Sequence, residues 1–323
     1  MNFLHILTHN MLPLLCLSAI GYWLDAKFKI DVKTFTKTTF YIILPAFIFK
    51  SIYEMNFSSE RIILLLAGVV LLTALSICAS LISYLRDHDK GLASIFRNAS
   101  VFNNCGNIGV AMITLIFTHT PYIHGNEAPY YIDAMACITM LLILMNVSVN
   151  TIGLYQSGSG RLTARDAIRM VFHMPTVYVV LGVILLKYFA IPVHTWFIWP
   201  AIKIAAACLP FVAMTTLGIQ LHRTELYWFN PEVWMALACK LILSPCLALA
   251  IIYAYGKFDP LTAQVFFIFS AVPSAVNTVM FAVEFDNHPG FATQAVMLSF
   301  IVSSVTLTAV IYLARILFPL PTW

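Results

Sequence analysis

The stretch SVFNNCGNIGVAM, residues 100–112, places three asparagines and two glycines within the seven positions from Asn103 to Gly109. It lies near the middle of a long apolar segment. Glycine destabilises a helix interior, and asparagine competes for backbone hydrogen bonds. Because each free backbone group in hydrocarbon costs several kcal/mol, a helix break there is stable only against protein or a water-filled cavity. We therefore expect an interrupted helix that lines a cavity.

The composition indicates the class of protein. Only 10% of the 323 residues are charged and 61% are hydrophobic, whereas a soluble domain has about 25% charged residues. The mean hydropathy is +0.88. The chain therefore has too little polar surface to face water on all sides, and the sequence predicts an all-α polytopic membrane protein.

Side chains that bind metals or form disulfides show no recognisable pattern. The seven cysteines all fall inside apolar segments and form no CxxC pair, which is typical of small buried side chains. The sequence contains no HExxH motif, no phosphate-binding glycine loop and no nucleic-acid signature. We therefore expect no metal, no cofactor, no nucleic-acid partner and no enzymatic activity.

The apolar segments define the membrane topology. A span needs about 20 apolar residues, and ten segments approach this length: residues 3–24, 38–55, 61–84, 97–118, 130–154, 171–190, 197–221, 233–255, 262–284 and 291–318. Because five is an odd number, five spans in each half would give the second half the opposite orientation in the membrane. The sequence thus predicts a first five-helix repeat over 1–155, a cytoplasmic linker over 156–170 and an inverted repeat over 171–323.

Lysine and arginine are concentrated in the connections after odd-numbered spans. These residues are Lys27, Lys29, Lys33, Lys37, Arg86, Lys90, Arg97, Arg161, Arg165, Arg169 and Arg223. The positive-inside rule places these connections in the cytoplasm and both termini outside. Because residues 1–10 contain no Lys or Arg, we expect the first apolar segment to remain as a span. The short loops favour a bacterial plasma membrane.

A second interruption is expected in span 9, where Pro273 lies near the centre. Proline removes a backbone donor, and Ser274, Asn277 and Thr278 follow it. Interrupted helices at matching positions of inverted halves are typical of secondary transporters. If spans 4 and 9 cross, two helix N-termini, each with about half a positive charge, point into one cavity. Such a cavity favours an anion such as a carboxylate.

The candidate substrate-binding residues are those of the two interruptions. They are Asn103, Asn104, Gly106, Asn107 and Gly109 in span 4, and Pro273, Ser274, Asn277 and Thr278 in span 9. Secondary candidates are Asn146 and Asn150 in span 5, Lys240 in span 8 and Ser303 in span 10.

For the secondary candidates a structural role stays open. Polar side chains also join transmembrane helices without binding a ligand, and we weigh the two roles equally for Asn146, Asn150 and Ser303. Lysines near helix ends extend to the membrane surface. That interpretation is favoured for Lys50, Lys203 and Lys240, of which Lys240 lies deepest and is the best candidate for a counter-charge or a proton-linked role.

Four segments carry a family resemblance. FNNCGNIG (102–109) and VPSAVNTVMFAVEF (272–285) resemble the auxin efflux carrier family, which includes plant PIN-type auxin exporters and bacterial malonate and malate permeases. IGYWLDAKFKIDVKTFTKTTFYIILPAFIF (20–49) and LSFIVSSVTLT (298–308) resemble its opening and closing segments. The resemblance implies ten helices in two inverted repeats, with a crossover of spans 4 and 9. It also implies an elevator-type movement of one bundle against a scaffold.

The match can be followed residue by residue at the crossover. The family's crossover asparagines match Asn104 and Asn277, and its second crossover proline matches Pro273. Ala111 stands where the family often has proline, so Gly106 and Gly109 are expected to hold the first crossover instead. The long cytoplasmic loop of the plant exporters is absent.

These features predict a secondary transporter of small organic anions, such as carboxylates, which works by alternating access. One alternative is a sodium-coupled symporter like the bile acid carriers, although no carboxylate lies deep beside the crossover. Another is a sensor that binds a carboxylate without moving it. The expected partners are the anion and the lipid bilayer, while proton or sodium coupling and a homodimer are left open. We also expect the Cys105 thiol to react with hydrophilic reagents and to be protected by substrate.

Overall fold

The computed structural model describes residues 3–55, 59–125, 127–158, 175–225 and 227–321. Helices make up 81% of these described residues, which contain no β-strand. Most of the predicted linker over 156–170 lies outside these ranges, including Arg161, Arg165 and Arg169. The division into repeats over 1–155 and 171–323 stays a prediction.

Most of the described residues lie in helices that correspond to the predicted spans. In chain order they are α1 (Leu4–Phe28), α2 (32–54), α3 (Ser59–Leu85), α4 (Lys90–Val101), α5 (Cys105–Phe117), α6 (Tyr131–Ser157), α7 (Pro175–Tyr188), α8 (Trp199–His222), α9 (Pro231–Tyr255), α10 (Pro260–Ser270), α11 (Val276–Glu284) and α12 (Pro289–Leu317). Span 4 consists of α4 and α5, and span 9 consists of α10 and α11. Both predicted interruptions are therefore present.

Six helices in the described ranges are long and apolar enough to cross a membrane: α1, α3, α6, α8, α9 and α12. The shorter helices α5, α7 and α10 are also apolar. The protein is thus a multi-pass membrane protein. The full arrangement of ten spans in inverted repeats remains a prediction, because several of the predicted spans are short or interrupted.

Prolines inside the spans coincide with local widening of the helix. Pro13, Pro45 and Pro245 each lie two residues beyond a π-helical turn, at Leu7–Met11, Thr39–Ile43 and Cys239–Leu243 respectively. A proline ring collides with the carbonyl four residues earlier and offers no N–H to it. A π-helical turn accommodates the misfit without ending the helix.

Helices α1 and α8 cross in backbone contact. A Cβ atom added at Gly218 would lie 1.8 Å from the Ser18 carbonyl oxygen, and one added at Gly21 would lie 2.1 Å from that of Thr215. Only glycine fits at such distances. Small residues that allow close helix approach are typical of membrane proteins, where packing replaces the hydrophobic effect between helices.

The helices pack in two groups. The scaffold group consists of α1, α2, α7 and α8, in which α1 packs on α8 and α2 packs on α7 and α8. The crossover group consists of α3–α6 and α9–α12, which surround the two interruptions. Each group takes helices from both halves of the chain. The two groups meet where α2 packs on α6, where α8 packs on the start of α5, and where the start of α1 packs on α12 and α5.

Hydrogen bonds between helix ends define two opposite faces of the molecule. At the first, which we call the basic face, Arg223 at the end of α8 binds Asp25 near the end of α1, with Nη2 2.5 Å from Oδ1. At the second, Arg61 near the start of α3 binds Asp133 at the start of α6 at the same distance. Among the described connections rich in Lys and Arg, those after α1, α3 and α8 lie at the basic face, where Arg86 also binds Glu232 at the start of α9.

Candidate functional site

The two interruptions are short extended segments. After α4 ends at Val101, Phe102 is extended with φ −84° and ψ 131°, and helical structure resumes at Cys105. After α10 ends at Ser270, Ala275 is extended with φ −73° and ψ 132°, and α11 begins at Val276. In each break the sequence supplies a residue that disfavours helix, Asn103 in the first and Pro273 in the second.

The two extended segments pair with each other as an antiparallel bridge between Asn103 and Ser274. The Asn104 N–H donates to the Pro273 carbonyl at 2.7 Å, and the Ala275 N–H donates to the Phe102 carbonyl at 3.0 Å. The breaks are therefore satisfied by each other rather than by water or lipid, as hydrocarbon surroundings require.

Side chains of each break also bind the other broken helix. Asn103 Nδ2 donates to the Phe269 carbonyl near the end of α10, at 2.9 Å. Ser274 Oγ donates to the Ala99 carbonyl near the end of α4, at 2.6 Å. A helix end leaves carbonyls without an intrahelical partner. Asn103 and Ser274 therefore play equivalent roles. Each donates a hydrogen bond to a carbonyl near the C-terminal end of the other broken helix.

The opposite ends of the breaks are helix N-termini without a side-chain cap. Neither Asn104, before α5, nor Ala275, before α11, makes a side-chain hydrogen bond to its helix. The N–H groups of a first turn point away from the helix and carry partial positive charge. Both N-termini are thus left to interact with whatever occupies the adjoining space.

That space is a cavity of about 70 Å³. Its lining comes from both helix groups. The residues are Thr39, Leu44, Asn103, Asn104, Cys105, Gly106, Asn107, Leu142, Met145, Asn146, Val149, Leu209, Ala213, Thr216, Gln220, Ala275, Val276, Asn277 and Met280. Apart from the crossover, Leu142 and Leu209, most of them lie on helix parts next to the basic face. The cavity therefore extends from the crossover toward that face.

Amide groups supply the polarity of the cavity. Asn104 Nδ2 and Asn146 Nδ2 are buried and have no hydrogen-bond partner among the described residues. Buried donors are nearly always satisfied in native proteins, so two unsatisfied amide donors in one cavity indicate a ligand or water. The lining includes no Asp, Glu, Lys or Arg, so these donors face no competing charge in the described lining.

Comparison with protein families identifies the family of the chain. A family model described as membrane transport protein, the auxin efflux carrier family, matches residues 6–311. The chain belongs to this family. Among curated proteins, none matches the chain. Membership agrees with the resemblance of the crossover segments, and it indicates a membrane transport protein.

The residues predicted for the site of this transporter fall into two sets. The first set lines the cavity: Asn103, Asn104, Gly106, Asn107, Asn277 and the secondary candidate Asn146. The second set supports the crossover without lining the cavity: Gly109, Pro273, Ser274 and Thr278. Gly109 packs against the Cys105 side chain and Val272, while Thr278 Oγ1 donates to the Ala275 carbonyl. Substrate binding by the first set is part of the function proposed below.

The remaining secondary candidates lie outside the cavity. Asn150 Nδ2 donates to the Asn146 carbonyl at 2.8 Å, and Ser303 Oγ donates to Phe300 in its own helix. Lys240 is 1% exposed, so the expectation that it extends to the membrane surface is wrong. Lys50 pairs with Glu54 at 3.5 Å and Lys203 is exposed, so for these two lysines the extension to the membrane surface stays a prediction.

The expectation for Cys105 also needs correction. Its side chain lines the cavity wall but is only 1% exposed, and Sγ lies 3.9 Å from the Ile138 carbonyl. The thiol turns toward α6 rather than into the open space. We therefore expect slow labelling of Cys105, and a different position is needed as a cavity probe.

Three polar residues of the scaffold group were missed in the sequence. Thr39, Thr216 and Gln220 line the cavity opposite the crossover, and Gln220 Oε1 is buried without a partner in the described part of the chain. One signal could have revealed two of them. Thr216 and Gln220 lie four residues apart in the span over 197–221, which places two polar side chains on one face.

Proposed function

We propose that this protein is a secondary transporter of small organic anions, with carboxylates as the substrate class. The substrate binds in the cavity at the crossover of α4–α5 and α10–α11. We place the protein in the plasma membrane, with the basic face in the cytoplasm and both termini outside, because the positive-inside rule favours this orientation.

One observation carries the proposal. Two uncapped helix N-termini and two unsatisfied amide N–H donors, on Asn104 and Asn146, meet in a single cavity whose described lining bears no charged side chain. Helix N-termini attract anions, and amide donors can bind a carboxylate without adding net charge. A neutral site of this kind releases its anion more readily than one with a buried arginine would, which suits transport.

The position of the cavity supports alternating access of the elevator type. The scaffold group contributes Thr39, Thr216 and Gln220 to one wall, and the crossover group contributes the asparagines to the other. A rigid movement of the crossover group along the scaffold would carry a bound anion from one face of the membrane to the other. The Gly21 and Gly218 contacts would keep α1 and α8 together during that movement.

Transport by purified protein in liposomes tests the proposal. We expect protein-dependent uptake of radiolabelled carboxylates from a panel that includes malonate, malate and indole-3-acetate. The matched control is the Asn104→Ala/Asn277→Ala double variant, purified and reconstituted in the same way. Absence of flux for every anion, with a correctly folded parent protein, would exclude the proposed function.

The same preparation separates the alternatives. Flux that disappears when choline replaces sodium would indicate the sodium-coupled symporter. An anion that raises the melting temperature of the protein but never crosses the bilayer would indicate a sensor. Acidification of the liposome lumen during uptake would indicate proton coupling.

A further inference from the structure

A fully buried lysine lies behind the crossover, on the side away from the cavity. Lys240 belongs to the π-helical turn Cys239–Leu243 of α9 and is 1% exposed. Its Nζ donates to the Val101 carbonyl at 3.1 Å, at the C-terminus of α4. No carboxylate in the described ranges forms an ion pair with it. The ammonium therefore faces a helix end instead of an acidic side chain.

The same turn of α9 also binds the other broken helix. Ser244 Oγ donates to the Ser270 carbonyl, the last residue of α10, at 2.8 Å. Lys240 and Ser244 are four residues apart and so lie on nearly one face of α9. The C-termini of α4 and α10 thus both end against this face.

The partial negative charges at these helix ends would be stabilised by a cation. Each helix C-terminus is equivalent to about half a negative charge, so the two together approach one negative charge in a buried region. A single buried ammonium is the matching positive charge. Because its Nζ binds the Val101 carbonyl, Lys240 lies at the point where the first break begins.

Lys240 is not a substrate contact, because it does not line the cavity. The crossover separates two regions of opposite polarity. The helix N-termini of α5 and α11 face the cavity, whereas the C-termini of α4 and α10 face α9. A free monovalent cation bound at the second region would couple its own gradient to the movement of the crossover. A lysine at that place supplies a donor that is fixed to the chain and needs no ion from solution.

We propose that Lys240 is a positioning residue that acts as a tethered cation, in place of a free sodium ion, at the C-terminal ends of the two broken helices. The inference rests on the proposed transport function at the crossover and goes beyond it. It requires that the crossover be assembled, and that transport proceed, without added sodium.

The first test uses the parent protein. We expect the same carboxylate flux in sodium and in choline buffers of equal ionic strength, and a melting temperature that does not depend on which cation is present. A parent flux that requires sodium would overturn the inference, since the charge would then come from solution.

The second test uses Lys240→Ala, which leaves space for a small cation, and Lys240→Met, which keeps the bulk of the side chain without its charge. Both should lower flux at least about tenfold, because a charge-assisted hydrogen bond is lost. We expect sodium or methylammonium, but not choline, to raise the melting temperature and flux of Lys240→Ala. Lys203→Met, at an exposed lysine, is the control and should behave as the parent.

The outcomes separate this inference from the proposed function. Parent-like flux of Lys240→Met would show that the charge is not used. If Lys240→Ala has the same melting temperature in methylammonium as in choline, Lys240 has only a packing role and the inference is overturned. If the parent transports no carboxylate while methylammonium still stabilises Lys240→Ala selectively, the tethered cation stands and the proposed substrate class fails.

Discussion

At the scale of single residues, the cavity is defined by asparagine side chains with different tasks. Asn103 Nδ2 is used to hold α10, whereas Asn104 Nδ2 and Asn146 Nδ2 remain without a partner in the described structure. Two neighbouring asparagines of one motif therefore have different roles. Asn103 holds the crossover together, whereas Asn104 presents a donor to the cavity. A motif match alone would assign both to binding.

The donors of the cavity lead to the first prediction. Asn104→Ala and Asn277→Ala should each reduce carboxylate flux by about ten- to a hundredfold, because a hydrogen bond to a charged group contributes roughly 1.5–3 kcal/mol. Flux in liposomes and melting temperature would be measured together. Asn150→Ala, whose side chain lies outside the cavity, should transport normally. Parent-like flux of both single variants would show that the site is misplaced.

Asp89, before α4, leads to a prediction about pH. Its carboxylate accepts the N–H groups of Leu92 and Gly91, and the first of these above all holds the pKa of Asp89 below its usual value. A group with a lowered pKa in the folded state stabilises the protein above its unfolded pKa of about 4, and this contribution is lost as the pH falls further. Asp89→Ala should therefore cost about 1 kcal/mol at neutral pH and less in acid.

Melting temperatures in detergent at neutral pH and at about pH 3.5 would check this expectation. Asp89→Asn is the matched control, because asparagine caps a helix about as well as aspartate but does not titrate. It should keep the neutral-pH stability of the parent and lose the pH dependence of this contribution. An alanine variant with the same deficit at both pH values would contradict the assignment.

At the scale of helices, crossing and interruption have separate sequence causes. The interruptions at residues 102–104 and 271–275 follow from local residues that disfavour helix. The crossing of α1 and α8 depends instead on Gly21 and Gly218, which lie nearly two hundred positions apart. A glycine in an apolar segment can serve either purpose, and only its neighbours in space decide between them.

The close crossing predicts a strong effect of one methyl group. In Gly218→Ala the new Cβ would lie 1.8 Å from a backbone oxygen that cannot rotate away, so α1 and α8 must separate. Overpacking typically costs about 1–3 kcal/mol, and backbone contact belongs to the upper part of that range. Gly182→Ala in α7, where a Cβ meets nothing within 4 Å, is the control. Equal melting temperatures of the two variants would disprove the contact.

At the scale of the whole molecule, the two helix groups determine where the cavity opens. Its walls come from α2 and α8 on one side and from α5, α6 and α11 on the other. Outside the crossover, most of its lining lies toward the basic face, so we expect this conformation to be accessible from that face. Alternating access would require a second conformation that opens toward the Arg61–Asp133 face.

Sidedness of chemical labelling tests this arrangement. In a variant without native cysteines, Met280→Cys should be modified rapidly by a membrane-impermeant thiol reagent added at the basic face, because Met280 lines the cavity and is 48% exposed. Inside-out and right-side-out vesicles would be compared, and a bound carboxylate should slow the reaction. Leu66→Cys, on the apolar outer surface of α3, should remain unmodified. Faster modification from the opposite face would contradict the assigned opening.

The sequence by itself determined the membrane class, the family and both helix interruptions, because apolarity and helix-breaking residues are local properties of a segment. It also identified Asn103, Asn104 and Asn277 as residues of the crossover. It did not separate residues that line the cavity from those that bind the other helix, since Pro273 and Ser274 carry the same signal as Asn277.

Only the tertiary structure decided what faces these segments. Gln220 and Thr216 reach the cavity from a distant helix, Cys105 turns its thiol toward α6, and Lys240 points at the end of α4 rather than at the membrane surface. The physical reason is that these contacts join residues far apart in the chain. Side-chain direction and partner are set by helix packing, which hydropathy and motif spacing do not encode.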